Sequence, residues 1–286
     1  MFRFVSIILL NYILFLQIRL GFSEYNDKST VCDCKCNCVV QLEVVNDDLE
    51  DLRNSKCSNK QLLANRASKP SSCTEAAFGS KSGIYKIKVE KLNITDLAVF
   101  CEEDVDSGGW LVIQRRQSSS VNFTRNWHDY KEGFGDLTGN YWIGLEKLYA
   151  LTSNFEHELY IQMRRRNGQA YYAKYSQILI GNESEDYILK KLSDYSGNAG
   201  DSLSRHLGIK FSTYDRDNDI DDERNCALDF KGGWWFYGCY ASHLNGLYGD
   251  DRAGVNWRTI EENECLSFSQ MMIRPTQSFW RQLMLS

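Results

Sequence analysis

The sequence predicts an exported chain in which a short helical stalk precedes one globular domain of short strands and long turns. Three observations carry this. Leu42, Val45, Leu49 and Leu52 recur at helical spacing, whereas residues 83–89 (GIYKIKV) and 158–164 (ELYIQMR) alternate with period two. Ten cysteines follow an apolar leader, which places the chain in an oxidising compartment. The composition, 43% hydrophobic with seven Trp, sixteen Tyr and fourteen Phe, supplies a well-filled core and excludes a disordered or collagen-like chain. Net charge is −5, and removing Arg3 and Arg19 with the leader makes it more acidic. Without a Lys/Arg run, nucleic acid and anionic membranes are poor partners.

Residues 1–23 read as a signal peptide. A charged start at Arg3 leads into an apolar stretch, and Gly21 and Ser23 fit the −3 and −1 cleavage positions. Arg19 interrupts the stretch before it reaches the roughly 20 apolar residues a bilayer needs. The next segment, 24–38, holds Cys32, Cys34, Cys36 and Cys38 in alternation. Cysteines one residue apart pair poorly with each other, and no His stands near them to complete a metal site. They are therefore placed to link chains. Residues 39–63 form the stalk, with Asp47, Asp48, Glu50 and Asp51 outward and Lys56 and Asn59 breaking the seam before Leu63. Two heptads are too short to hold alone, so interchain disulfides are expected to staple a homo-oligomer. Residues 64–72 are a linker.

From Cys73 the texture becomes β-like. Residues 110–115 (WLVIQR) follow a Gly-Gly turn, and 271–275 (MMIRP) form a terminal strand closed by proline. Residues 191–265 are rich in Gly, Asp, Asn and Ser and need staples or ions to become ordered.

The residues G-G-W-L-V-I-Q-R-R (108–116), W-H-D-Y-K-E-G-F-G-D (127–136), Y-W-I-G-L-E (141–146), F-S-T-Y-D-R-D-N-D (211–219), N-C-A-L (225–228), G-G-W-W-F (232–236), H-L-N-G (243–246), G-V-N-W (254–257) and M-M-I-R-P (271–275) resemble, in order and spacing, the fibrinogen C-terminal domain family. The resemblance covers residues 73–276 and leaves 277–286 as a tail. It implies an α+β fold: a small N-terminal subdomain, a central antiparallel sheet with helices, and a loop-rich subdomain carrying calcium and ligand. It also implies bridges Cys73–Cys101 and Cys226–Cys239, and a last strand returning into the central sheet. Cys57 and Cys265 are left over, free to pair together or to bridge to other chains.

No enzyme is expected. None of His128, His157, His206 and His243 sits in a metalloprotease motif, and no nucleophile elbow or phosphate loop is present. The richest chemistry is the acidic run 215–226, whose carboxylates at every second position can converge on Ca²⁺. It is not an EF-hand, since Ile220 and Cys226 occupy the positions of its Gly and Glu. The resemblance implies side-chain ligands Asp217 and Asp219, with backbone carbonyls near Asp221 and Glu223. The segment is one residue longer than usual and carries Arg224 at a position commonly small. The competing reading is a solvated acidic loop balanced by Arg216 and Arg224.

The resemblance also implies a ligand pocket around a cis peptide at Gly238–Cys239, lined by Asp229, Phe230, Gly238, Cys239, Tyr240, His243 and Asp251. Tyr240 stands for a frequent His, Phe230 for a frequent Tyr, and Asp251 is expected to repel acidic sugars. Sequons at Asn93, Asn122 and Asn182 are candidate glycan acceptors. Two functions follow: a secreted lectin for acetylated or acidic groups on glycans, of the ficolin and tachylectin kind, and an angiopoietin-like ligand for a cell-surface receptor. The lack of a Gly-X-Y repeat removes the ficolin type of stalk.

Overall fold

The computed structural model describes residues 69–262 and 264–276. The signal peptide, cysteine cluster, stalk, nearly all of the linker, and the tail from 277 lie outside the described residues. The sheet strands are β1 (Gly83–Val89), β2 (Ile94–Glu102), β3 (Trp110–Arg116), the short pair β4 (Phe134–Gly135) and β5 (Tyr141–Trp142), then β6 (His157–Arg164), β7 (Ala170–Ile180) and β8 (Leu189–Gly197). Two two-residue strands follow, β9 (Ser242–His243) and β10 (Asn256–Trp257), and the chain returns as β11 (Phe268–Pro275).

The sheet runs β1-β2-β3-β11-β6-β7-β8, every pair antiparallel, with β5 added to β3 and β4 to β5. β11 enters between β3 and β6, setting Gln270 opposite both Arg115 and Gln162. Both the expected α+β class and the return of the last strand are thus found. The turn into β3 uses Gly108 and Gly109 at φ of 71° and 75°, a left-handed region costly to other residues.

One face of the sheet is covered by the helix Leu145–Asn154, whose Leu145, Leu148 and Leu151 are buried. Beside it, a second helix, Trp127–Glu132, is capped by Asn126, which accepts from the Asp129 N–H at 2.8 Å. The Phe211 ring joins the two sides of the core. It lies 5.3 Å from Tyr130, 6.0 Å from Trp142 and 5.2 Å from Trp235. Disulfides join Cys73 to Cys101 and Cys226 to Cys239. Among the described residues no helix is long and apolar enough to cross a membrane.

Arg116 ties the sheet to the loops beyond it. Buried under the Phe123 ring at 3.9 Å, it donates from Nη1 to the carbonyls of Leu244 at 3.2 Å and Gly246 at 2.6 Å. Burial pushes its guanidinium down to about 10, which still leaves it charged at neutral pH.

Candidate functional site

The acidic run folds as successive Asx-type turns. Asp217 Oδ1 accepts from the Asp219 N–H at 3.2 Å, and Asp219 Oδ1 accepts from the Asp221 N–H at 2.8 Å. Asp219 Oδ2 reaches the Cys226 N–H at 2.9 Å, which fixes the loop to the start of the helix Cys226–Phe230. Asp215 leaves the run, accepting from the Trp127 N–H at 2.9 Å and the Thr213 hydroxyl at 2.7 Å.

Burial, with a further push from the adjacent Asp217 carboxylate, raises the Asp219 carboxyl above the ordinary range. The Arg224 guanidinium does not relieve that repulsion. It pairs with Asp221 at 2.9 Å and holds that carboxyl below its usual value. Asp217 and Asp219 meet no cationic partner among the described residues, and with Asp221's side chain engaged elsewhere they form a donor set that fits a hard dication. Asp217 and Asp219 would supply the charge, and nearby carbonyls the remaining oxygens. Glu223 is exposed, its N–H bonded to Asp221 Oδ1 at 3.2 Å. Asp221 also lies beside Cys226 and Cys239, but those sulfurs are joined to each other.

Next to this loop opens a cleft of about 490 Å³ lined by Phe230, Cys239, Tyr240 and Asp251, together with Arg224, Arg252, Asn256, Arg258 and Glu262. The Gly238–Cys239 peptide is cis. Tyr240 packs edge-on to Phe230 at 4.9 Å and donates its hydroxyl to the Arg252 carbonyl at 3.2 Å. Of the seven expected pocket residues, four line the cleft. Asp229 is exposed on its helix, Gly238 is exposed outside the lining, and His243 is buried behind Tyr240. The His243 ring is fully buried, 5.4 Å from the Tyr240 ring, with Nε2 bonded to the Lys231 carbonyl at 2.8 Å.

Asp251 does not act as the isolated negative charge expected from sequence. It is paired with Arg166 at 2.7 Å and accepts from the Cys265 N–H at 2.9 Å; that backbone bond first, then Arg166, holds its carboxyl well below the usual range. Three arginines face the cleft against two acids, and Arg258 is paired with Glu262 at 3.1 Å. Among the described residues the Arg252 guanidinium pairs with no carboxylate, although its backbone N–H donates to Asp250 Oδ1 at 2.7 Å. The cleft can therefore accept a negatively charged group.

Sequence reasoning missed Arg252, Asn256 and Arg258; the last two reach the cleft because β10 folds back onto β9, pairing Asn256 with His243. It also missed His206, whose Nδ1–H donates to the Trp235 carbonyl at 2.6 Å while Nε2 accepts from the N–H groups of Ala241 at 3.2 Å and Ser242 at 3.1 Å. That ring holds the backbone immediately after Tyr240. The signal available was an isolated histidine, which carries no spacing pattern. Of the sequons, Asn93 and Asn122 are exposed, while Asn182 is half-buried at the start of a turn, its side-chain oxygen accepting from the Ser184 hydroxyl at 2.7 Å.

Comparison with known proteins agrees with this architecture. The family model for the fibrinogen beta and gamma chains, C-terminal globular domain, matches residues 70–276. Tenascin-R of Gallus gallus is 42% identical over 198 residues, covering 68% of this chain but only 14% of its own length. Ryncolin-4 of Cerberus rynchops is 42% identical over 204 residues, 69% of this chain and 58% of its own. The fibrinogen-like globe domain of human ANGPTL6 superposes with a TM-score of 0.68 at 40% identity, covering 74% of this chain and all of that one. Lamprey fibrin D-dimer, complexed with the peptide ligand Gly-His-Arg-Pro-amide, gives 0.67 at 33% identity, covering 81% of this chain and 82% of that one. The chain belongs to the fibrinogen C-terminal domain family.

Proposed function

We propose that this chain is a secreted, extracellular recognition protein whose calcium-supported cleft beside Cys239 binds acetylated or acidic groups on glycans. The observation that carries the reading is the cleft itself. A half-buried aromatic wall, Phe230 and Tyr240, faces Arg252 and Arg258, so an apolar methyl and a negative oxygen can be held together. Calcium on Asp217 and Asp219 would stiffen the loop that ends at Cys226, and through the disulfide the wall at Cys239. Disulfide linkage through Cys32, Cys34, Cys36 and Cys38 would multiply weak single-site contacts.

A second reading, a protein ligand for a cell-surface receptor, draws on Ile220 and Leu228. They lie 65% and 52% exposed beside the same loop, where a protein partner could cover them.

One experiment separates the two. A glycan array probed with the secreted protein, in calcium and again in chelator, is expected to show acetylated or acidic hits that vanish in chelator and in Asp217→Ala. A blank array, with cell-surface binding abolished by Ile220→Asp, would transfer the proposal to the receptor reading. Thermal melting should fall in chelator to the value of the Asp217→Ala protein. A melting point indifferent to millimolar calcium would remove the metal from the model of the site.

A further inference from the structure

The sheet's other face carries a second concavity that shares no residue with the cleft. About 690 Å³ in volume, it crosses β3, β11, β6 and β7. Its floor is a pinned polar chain. Arg115, 5% exposed, donates from Nε to Gln270 Oε1 and from Nη1 to the Leu137 carbonyl at 2.8 Å, with its guanidinium 4.4 Å from the Phe100 ring centre. Gln270, 2% exposed, donates in turn to Gln162 Oε1 at 3.2 Å. One wall is Tyr172, braced ring against ring by Tyr160 at 5.4 Å and 8° and left 38% exposed. The opposite side is Phe268 with the Arg164 guanidinium 5.4 Å above it.

We propose that this trough is a binding site for an uncharged glycan, independent of calcium and of the cleft. The occupant follows from what the lining leaves open. Among the described residues no acceptor meets the Gln162 amide N–H groups or the Arg164 guanidinium, and Asn198 uses only its oxygen, on the Tyr172 N–H at 2.7 Å. Open valencies are thus planar donors placed around aromatic rings. A pyranose offers the complement, hydroxyl oxygens on its rim and C–H groups on its face.

Charge selects against ionic ligands. In formal charge Glu102 and Asp104 offset Arg115 and Arg164, and the Ser82 hydroxyl, 2.8 and 2.7 Å from the two acids, shares its one proton between them. An extended peptide has no ladder to join, because β3, β11, β6 and β7 are each paired on both sides. The fixed floor means that little ordering is left for the moment of binding.

The test titrates the secreted full chain in chelator with cellohexaose, which has neither acetyl nor charge, following the backbone and Gln side-chain amide signals by NMR at millimolar sugar. Saturable binding is expected, weakened about tenfold or more (roughly 1.4 kcal/mol) in Tyr172→Ala and in Gln162→Leu. Melting curves of both variants show whether they are folded. Either of two results overturns the site: no saturation by wild type with cellohexaose or mannohexaose, or unchanged binding in folded Tyr172→Ala and Gln162→Leu. Because chelator is present throughout, failure here leaves the calcium-dependent cleft reading standing, and failure of that reading leaves this one.

Discussion

Strand β6 and the segment 234–245 are both buried among aromatic rings, yet their backbones are satisfied differently. β6 has a ladder on each side, with β11 and β7, and its inward residues alternate with outward ones. In 234–245 the residues Trp234, Trp235 and Phe236 are buried consecutively, and side chains from elsewhere meet the backbone. His206 takes the N–H groups of Ala241 and Ser242, and the Leu244 carbonyl accepts from Gln114 at 2.7 Å and from Arg116 at 3.2 Å. In the sheet a side chain contributes packing. In the loops it also replaces a missing strand, so its removal leaves a buried polar group unmatched at about 1–3 kcal/mol.

The largest expected break in this comparison comes from acid. Burial pushes the imidazoles of His206 and His243 down to about 4, and that of His157 in β6 likewise. Each folded value lies below the unfolded one, so the stabilisation is fully present above about pH 6.5 and is lost as pH falls toward 4. Each ring costs up to about 1.4 kcal/mol per pH unit in that window. Two of the three rings lie in the loop-rich half. Amide protection factors, corrected for the intrinsic slowing of exchange in acid, should therefore fall between pH 7 and 5 across 234–245 before they do in β6. Simultaneous loss of protection in both would show that the halves unfold as one unit. A melting temperature flat from pH 6.5 to 4.5 would contradict the burial argument itself.

A smaller effect tests the sheet where it behaves like the loops. Arg274, 5% exposed on β11, donates from Nε to Glu158 at 2.7 Å and from Nη1 to the carbonyls of Asp106 at 2.8 Å and Gly108 at 2.6 Å. Its guanidinium also lies 4.1 Å from the Trp110 ring. It thus fastens the Gly-Gly turn to the last strand. Arg274→Ala should lower the unfolding free energy in denaturant by about 3–5 kcal/mol, and Arg274→Lys should recover part of it. A loss under 1 kcal/mol would mean that the turn is held by the β2–β3 ladder alone.

The same contrast explains what could be read in advance. β1, β3, β6 and β11 were legible because period two or an apolar run survives in their residues. β7 was not. Its outward Tyr172 looks apolar, and a register shift at Leu179/Ile180 interrupts the alternation. At the candidate site, the acidic loop was visible because its carboxylates are close in sequence, and Phe230, Cys239 and Tyr240 because they lie between the motifs 225–228, 232–236 and 243–246. The neutralisation of Asp251 was not, since Arg166 lies 85 residues away on the far side of a sheet turn. Motifs record local chemistry, whereas charge balance in a cleft depends on distant partners.

The smallest expected effect concerns Cys265, left free in sequence to pair with Cys57. Cys57 lies outside the described residues, but Cys265 is only 2% exposed in the loop-rich half. Its Sγ accepts from the Gly249 N–H at 3.2 Å, and Gly254 lies so near that an added Cβ would come within 2.8 Å of the sulfur. A thiol packed that closely can react only when the segment around it opens, so its behaviour measures how often this half of the domain loosens. Native protein should label with maleimide at Cys265 far more slowly than unfolded protein. Cys265→Ser should leave the non-reducing gel pattern unchanged and cost about 1 kcal/mol, the sulfur's contacts being replaced by a smaller polar group. Rapid native labelling, or a mapped Cys57–Cys265 bridge, would mean that residues 247–266 open readily. The side chains standing in for strands there would then be a weaker fastening than the ladders of the sheet.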